Sequence, residues 1–344
     1  MSDDALALRV PSSSPRVRLT GISRRAFEHP ADRAALSALR KVPGLDLLLR
    51  KLIGFVGERS IRYLYLANAV RVQDGQLPRI AAAYEECLAI LDVPNRPELY
   101  VAQTPIVNAG AVGVDKPFIV LNSGIVHLLS DDELRFVIGH ELGHIVSDHT
   151  LYKTMLGMLL QLSITRIGIP LSGLAIFGII AALREWDRKS ELSCDRAGLL
   201  CVQDPMVAYT VHMKTAGGAH AGQMSVDALF AQAEDYEKGG SVLDSVMKLM
   251  NLLGQRHPFP VTRLAELKRW VDSGAYAAIL GGEYPRRTED EAASVVDDIK
   301  AGAQSYQDVY AKSGDALSKF AQDISEAGQS AFDKARDFWN KKAP

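Results

Sequence analysis

The sequence lacks several features that mark common classes of protein. It holds three cysteines, Cys87, Cys194 and Cys201, and none of them has the CxxC spacing. An odd, small number without that spacing does not form a disulfide framework, so we expect a reducing compartment. The formal net charge of −2 is far from the strongly basic balance of proteins that neutralise phosphates. We therefore expect no nucleic-acid partner.

The amino-terminal end lacks the apolar run of a secretory signal. Residues 1–10 include Asp3 and Asp4 and no long hydrophobic stretch. We therefore expect no signal peptide and a location in the cytoplasm or on the cytoplasmic face of a membrane. Ser, Pro and Arg then dominate up to about residue 22. This composition predicts a disordered arm over residues 1–22.

Charge is also scarce in one internal segment, 155–183, where the only charged side chain is Arg166. As a helix, the uncharged run 167–183 would span about 25 Å, the short limit for crossing a bilayer. Pro170 and several glycines favour a broken helix, and Arg166 would be costly in hydrocarbon. The segment fits a helical hairpin over the site or at a membrane face, or a buried helical pair. The sequence leaves membrane association through 155–183 open.

The pattern of apolar residues changes along the rest of the chain. Helical periodicity covers residues 23–75 and again 77–91. Short β-prone stretches separated by Pro, Gly or Asp follow at 98–102, 105–109 and 117–121. Ser130 and Glu133 have the spacing of a capping box, so a helix is predicted to begin there. These elements predict an α+β fold that is mainly α-helical, with a small β-sheet.

The chemistry concentrates in the segment His140-Glu141-Leu142-Gly143-His144 of that predicted helix. Residues four apart lie on one helix face, so both imidazoles can ligate one Zn²⁺. Glu141 lies beside the first ligand and can instead take a proton from the water that zinc activates. Gly143 leaves space that we expect a substrate backbone to use. The alternative is a helix that merely contains two histidines and a glutamate.

A catalytic zinc ion needs a third protein ligand and one open position. The metzincin pattern would place a third histidine ten residues after His140, but that position is Thr150. His149 lies five residues beyond His144, about 140° round a continuous helix, so it is expected at the surface. The third ligand is therefore expected elsewhere in the chain.

Glu191 and Asp195 offer the missing groups within the stretch 190–198. Four residues apart, they share a helix face, so Glu191 can ligate the metal while Asp195 accepts the second N–H of a ligating imidazole. Taken alone, the pair would fit a solvated helix exterior better. The preceding HELGH segment and the small residues at 197 and 198 favour the ligand interpretation.

HELGH followed by ELSCDRAG about fifty residues later resembles the gluzincin metallopeptidases. Within them, the chain is similar to the group of the zinc CAAX prenyl protease and the heat-shock membrane protease HtpX, over about residues 75–275. The resemblance implies a zincin-type domain with one Zn²⁺ per chain, held by His140, His144 and Glu191. Cys194 stands where those relatives often carry Ala.

The same resemblance implies roles for two further segments. It brings His257 and Arg263 near the zinc, where they would stabilise the oxyanion or block the metal. The flanking prolines alternatively just begin a helix. The resemblance also places Asn108, Ala109 and Gly110 on an edge strand to which an extended substrate adds as a further strand. An ordinary edge strand fits the sequence equally well.

The predicted domains are the arm at 1–22, N-terminal helices at 23–75, a zinc metallopeptidase domain at 76–285 and an amphipathic helical extension at 286–344. The predicted function is a zinc-dependent metalloendopeptidase acting on polypeptides, with damaged proteins near a membrane as substrates by analogy alone. Two alternatives stay open. One is a catalytically silent zinc-bound adaptor that uses its C-terminal helix to bind partners. The other is a latent peptidase in which His257 or the arm covers the site.

Overall fold

The computed structural model describes residues 15–40, 58–165, 173–238 and 259–292. The strands are β1 (Ala69–Arg71), β2 (Glu98–Ala102), β3 (Ala109–Val112) and β4 (Phe118–Asn122). The α-helices are α1 (Pro30–Arg40), α2 (Glu58–Asn68), α3 (Pro78–Ile90), α4 (Ser123–Leu128), α5 (Asp131–Val146), α6 (His149–Thr165), α7 (Gly173–Val202), α8 (Pro205–Gly217), α9 (Val226–Lys238), α10 (Pro260–Asp272) and α11 (Ala275–Leu280). The predicted α+β, mainly helical fold is confirmed. The predicted extension lies outside the described residues from position 293 onwards.

The four strands form one mixed sheet in the order β1-β2-β4-β3. β2 and β4 run parallel, while β1 and β3 pair antiparallel with β2 and β4 respectively. Both faces of the sheet are covered. Successive side chains along a strand point to opposite faces, so each strand contributes to two hydrophobic clusters. Leu99, Ile119 and Leu121 face the main core, whereas Tyr100 and Phe118 form a separate cluster against α2.

The strand predicted at 105–109 is wrong, since the strand begins only at Ala109. Thr104, just before the predicted stretch, binds the start of α4, and only the Asn108 carbonyl at its end accepts from β4, through the Asn122 N–H. The Ser123 hydroxyl donates to the Thr104 carbonyl at 2.9 Å, and the Gly124 N–H donates to the same carbonyl at 2.9 Å. A proline at 105 has no N–H for a ladder, so these contacts outweigh the local β propensity.

Part of the predicted disordered arm is also corrected. From Pro15 onwards the described chain is packed, with Leu19 and Ile22 almost completely buried in the main core. Arg16 pairs with Glu86 and with Asp132, each at 2.8 Å. Burial of apolar side chains outweighs the loop-forming composition here, because each buried Leu or Ile contributes about 1.5–3 kcal/mol.

Of the predicted apolar segment 155–183, residues 155–165 lie in α6 and 173–183 in α7, while 166–172 are outside the described residues. Its first part packs in a second core, where Met155 and Leu159 of α6 meet Leu36 and Leu39 of α1. Among the described helices, none combines the length and the apolar character that crossing a bilayer requires.

Helices α5 and α7 pack together at very short range because small residues line their contact. A β-carbon added at Gly198 of α7 would lie 2.6 Å from the backbone oxygen of Phe136 in α5. One added at Gly143 of α5 would lie 2.8 Å from the β-carbon of Ala197. Gly143 therefore faces a neighbouring helix, and the expectation that it makes room for substrate is wrong.

Gly198→Ala is expected to destabilise the protein by about 1–3 kcal/mol, since the new methyl group meets backbone that cannot rotate away. Gly157→Ala is the matched control, because Gly157 is an exposed helical residue of α6 with nothing within 4 Å of an added β-carbon. There the change should stabilise by up to about 1 kcal/mol. Chemical denaturation measures both. Equal effects of the two substitutions would contradict the close-contact explanation.

Candidate metal centre

The first two candidate ligands and the candidate base lie on α5. The predicted capping box is confirmed: Ser130 Oγ accepts from the Glu133 N–H, and Glu133 Oε2 accepts from the Ser130 N–H at 2.7 Å. This cap fixes the start of the helix and hence its rotation at the following turns. His140, Glu141 and His144 are all buried.

Helix α7 brings the third candidate ligand to the two imidazoles. Nε2 of His140 lies 3.4 Å from Oε2 of Glu191, and Nε2 of His144 lies 3.2 Å from Oε1 of the same carboxylate. The three side chains each offer one donor atom within 4.8 Å of the others. Two imidazole nitrogens and one carboxylate are the ligand types of a catalytic metal site with one open position. The donor set therefore fits a metal ion.

Asp195 lies behind the first ligand, as its spacing predicts. Its Oδ1 is 3.1 Å from Nδ1 of His140, which leaves Nε2 of that ring facing Glu191. Arg263 of α10 donates from Nε to Oδ2 of Asp195 at 2.8 Å and lies 3.2 Å from Glu191 through Nη1. Against the effect of burial, this guanidinium holds the pKa of the Asp195 carboxyl below its usual range. Arg263 thus joins two carboxylates of α7, Glu191 and Asp195.

The two candidate histidine ligands differ in their electrostatic surroundings. Burial lowers the pKa of His140, but its hydrogen bonds to Asp195 and Glu191 outweigh this effect and raise the pKa to about 9. Burial, followed by the charge of Lys153, lowers the pKa of His144 well below its ordinary value. Metal ions bind unprotonated imidazole nitrogen. Metal binding therefore replaces a proton at His140 and needs none removed from His144.

Lys153 of α6 supplies a second cation, which like Arg263 is half-buried. Its Nζ donates to Oε1 of Glu191 at 2.7 Å and lies 3.1 Å from Oδ1 of Asp187. Burial opposes its charge, yet these carboxylates raise the pKa of the ammonium. Nζ is also 3.3 Å from Nε2 of His144. The candidate ligand Glu191 is therefore held by a cation from α6 as well as by Arg263.

The expectation that His149 lies at the surface is wrong. α5 ends at Val146, and Asp148 takes a left-handed conformation with φ of 58°, so the chain turns before α6 begins at His149. An angle counted along one continuous helix therefore does not apply. The His149 side chain is fully buried, and its Nδ1 lies 3.2 Å from Nδ1 of His144.

This arrangement of donors coincides with a family match. The model described as Peptidase family M48 matches residues 75–271, which is more than half of the chain. The chain belongs to peptidase family M48. This match confirms the resemblance to gluzincin metallopeptidases of the CAAX prenyl protease and HtpX group that HELGH and ELSCDRAG carry, and with it a metal-dependent hydrolase acting on peptide bonds.

Individual relatives of this M48 peptidase are named as metallopeptidases or as proteases. The plastoglobule-localized metallopeptidase 48 of Arabidopsis thaliana is 35% identical over 260 residues, 74% of each chain. The mitochondrial metalloendopeptidase OMA1 of the same plant is 34% identical over 140 residues, 38% of this chain and 27% of the relative. A protease HtpX homolog of Pyrococcus abyssi is 31% identical over 94 residues, covering 27% and 32% respectively. No solved structure gives a significant match.

Of the remaining predicted site residues of the M48 peptidase, all except His257 lie within the part of the chain that the structure describes. Ala109 and Gly110 lie on β3, with Asn108 just before it, and β3 is an edge of the described sheet that packs against α5 and α6. Arg263 contacts the candidate ligand Glu191 and Asp195 behind His140. His257 lies outside the described residues, so its approach to the metal stays a prediction.

Sequence reasoning missed four groups around the centre: the buried Asp32, His149 and His212, and the half-buried Lys153. Nε2 of His212 in α8 lies 3.6 Å from Oδ2 of Asp195. The pKa of His212 is lowered to about 4, mainly because the ring is buried. Only His149 carried a signal, since the helix-stopping Ser-Asp pair before it could have shown that α5 ends there. The others come from separate helices, and no short spacing connects them with HELGH.

Asp195→Asn in the M48 peptidase should weaken metal affinity by about 10- to 100-fold, since the amide accepts less strongly from His140 and loses the charge that holds Arg263. Competition with a chelator of known affinity measures this change. Asp272→Asn is the matched control, because Asp272 is exposed and forms an ion pair with Lys268 on the surface of α10. An Asp195→Asn protein with unchanged affinity would show that Asp195 does not orient the ligand.

Proposed function

We propose that the chain is a zinc endopeptidase with one Zn²⁺ per chain, held by His140, His144 and Glu191. The observation that carries the proposal is the convergence of both Nε2 atoms on one carboxylate, 3.4 and 3.2 Å away. Two imidazoles with one carboxylate suit zinc, whereas sites for calcium or magnesium consist of oxygen ligands. The named metallopeptidase relatives support the same class of reaction.

Zinc bound at these ligands would supply Lewis acidity, lowering the pKa of water and polarising the scissile carbonyl. Glu141 is buried and lies between the two histidines in the sequence. It accepts the proton of the attacking water and passes it to the leaving amine. Asp195 keeps the proton of His140 on Nδ1, so that Nε2 stays available to the metal. Arg263 is engaged by Asp195 and Glu191, which favours a positioning role over contact with the oxyanion.

Glu141→Gln should keep zinc and lose about 10²- to 10⁴-fold in kcat, since the amide cannot accept the proton. Metal analysis and hydrolysis of an unfolded casein substrate measure the two properties separately. Glu234→Gln makes the same chemical change on the exposed face of α9 and should leave both unchanged. Hydrolysis by the Glu141→Gln protein at the rate of the unchanged protein would contradict the assignment of Glu141 as the base. Loss of zinc would show that Glu141 serves as a ligand.

The proposal extends to how the substrate binds. Asn122 N–H donates to the Asn108 carbonyl at 3.1 Å, and Gly110 pairs with Val120 two residues further along the ladder. In an antiparallel ladder, bonded pairs alternate, so the backbone groups of Ala109 and Ala111 point away from β4. A substrate strand added beside β3 therefore pairs with the half-buried Ala109, and pairing with Ala111, which is 4% exposed, requires the groups that cover it to move. Backbone pairing places little demand on substrate side chains, which suits extended or unfolded polypeptides.

Peptides that carry one N-methyl group at successive amides near the scissile bond test this arrangement. Methylation should lower kcat/KM by about 5- to 150-fold at alternate amides, because each lost backbone bond costs about 1–3 kcal/mol. The amides between them serve as matched controls, since they point away from β3. A uniform loss at every position would indicate a steric effect and contradict strand addition.

A further inference from the structure

The second candidate ligand, His144, has an ordered partner on the far side of its ring. Its Nε2 faces Glu191 at 3.2 Å, and its Nδ1 faces Nδ1 of His149 at 3.2 Å. Two imidazole nitrogens at this distance share one proton, which one ring donates and the other accepts. If Nε2 of His144 is to bind metal, the proton must sit on its Nδ1, so His149 accepts there.

The proton on His149 must then sit on its other nitrogen. Nε2 of His149 lies 3.1 Å from Oδ2 of Asp32, although the ring N–H does not point directly at that oxygen. A neutral imidazole carries one N–H, and a carboxylate is its strongest ordinary acceptor. Asp32 therefore favours the tautomer of His149 that accepts from His144.

Asp32 itself is held rigidly. It is 1% exposed, and its two oxygens accept from the Trp186 indole N–H at 3.0 Å and from the Ser193 hydroxyl at 2.6 Å. Trp186 and Ser193 lie on α7, the helix that carries Glu191. The Asp32 carboxylate, the last group in the series His144, His149 and Asp32, is thus anchored to the same helix as the third candidate ligand.

We propose that Asp32 is a positioning residue for the metal centre, acting through His149 to fix the tautomer and orientation of His144. Asp32 lies on α1, before residue 75, where the family match begins. The N-terminal segment is therefore a working part of the site, and not only an addition to a peptidase domain. His149 and Asp32 do for His144 what Asp195 does for His140. The inference rests on the proposed metal site.

The test compares zinc affinity of the full chain by chelator competition, with unfolding measured in excess chelator as a separate record of stability. Asp32→Asn should weaken zinc binding about 10- to 100-fold, because an amide facing two donors and His149 cannot accept from all three. Arg16→Gln is the control, since Arg16 anchors the same segment to Glu86 and Asp132, away from the centre. It should lower stability and leave zinc affinity unchanged.

A double-mutant cycle distinguishes positioning from a merely structural link. If Asp32 acts through His149, then Asp32→Asn should have little further effect on zinc affinity in a His149→Phe background. Ser193→Ala, which removes one donor to Asp32, should give the same direction of change with a smaller loss, and it serves if Asp32→Asn fails to fold. Cobalt substitution gives a further record, since the visible spectrum of bound Co²⁺ should shift in Asp32→Asn but not in Arg16→Gln.

Several outcomes would overturn the inference. These are an unchanged affinity in folded Asp32→Asn, additive effects in the cycle, or two zinc ions per chain. The last would make His149 and Cys194 ligands of a second ion together with His144, a grouping that their distances also permit. A wild-type protein that binds no zinc would instead refute the proposed function, so the two failures are distinguishable.

Discussion

The close approach of α5 and α7 is the constraint on which the metal centre depends. Gly143 and Gly198 lie where any side chain would meet the neighbouring helix within 3 Å. Because the two backbones lie so close together, the side chain of Glu191 is long enough to reach both imidazoles of α5. A side-chain methyl at this contact would push apart the two helices that supply every candidate ligand, so packing and chemistry share the same small residues.

The centre gathers charge that burial alone would not tolerate. Glu191 and Asp195 are nearly inaccessible, and an unpaired buried carboxylate costs several kcal/mol or shifts to its neutral form. Arg263 bridges the two, while Lys153 holds the other oxygen of Glu191. These cations come from α10 and α6. Helices that contribute none of the three candidate ligands therefore supply the cations that offset the charge of Glu191 and hold it in place.

Local sequence rules succeeded wherever one regular element carried the whole pattern. The cap at Ser130 starts α5, which continues without interruption to His144, so the positions of both histidines followed from helical spacing. The same counting failed for His149, because Asp148 turns the chain between two helices. The strand predicted at 105–109 was also wrong, because Thr104 bonds to the start of α4 and the chain joins β4 only from Asn108 onwards.

The sequence by itself determined the types of ligand, their pairing on helix faces, the candidate base and the family. These depend on residue identity and on spacings of three or four along a helix, which the backbone geometry imposes locally. Only the tertiary structure decided what surrounds the ligands: Asp32 and Arg263 reach the centre from helices more than 50 residues away from the ligands that they support. Such contacts depend on how helices pack, and packing leaves no periodic trace in the sequence.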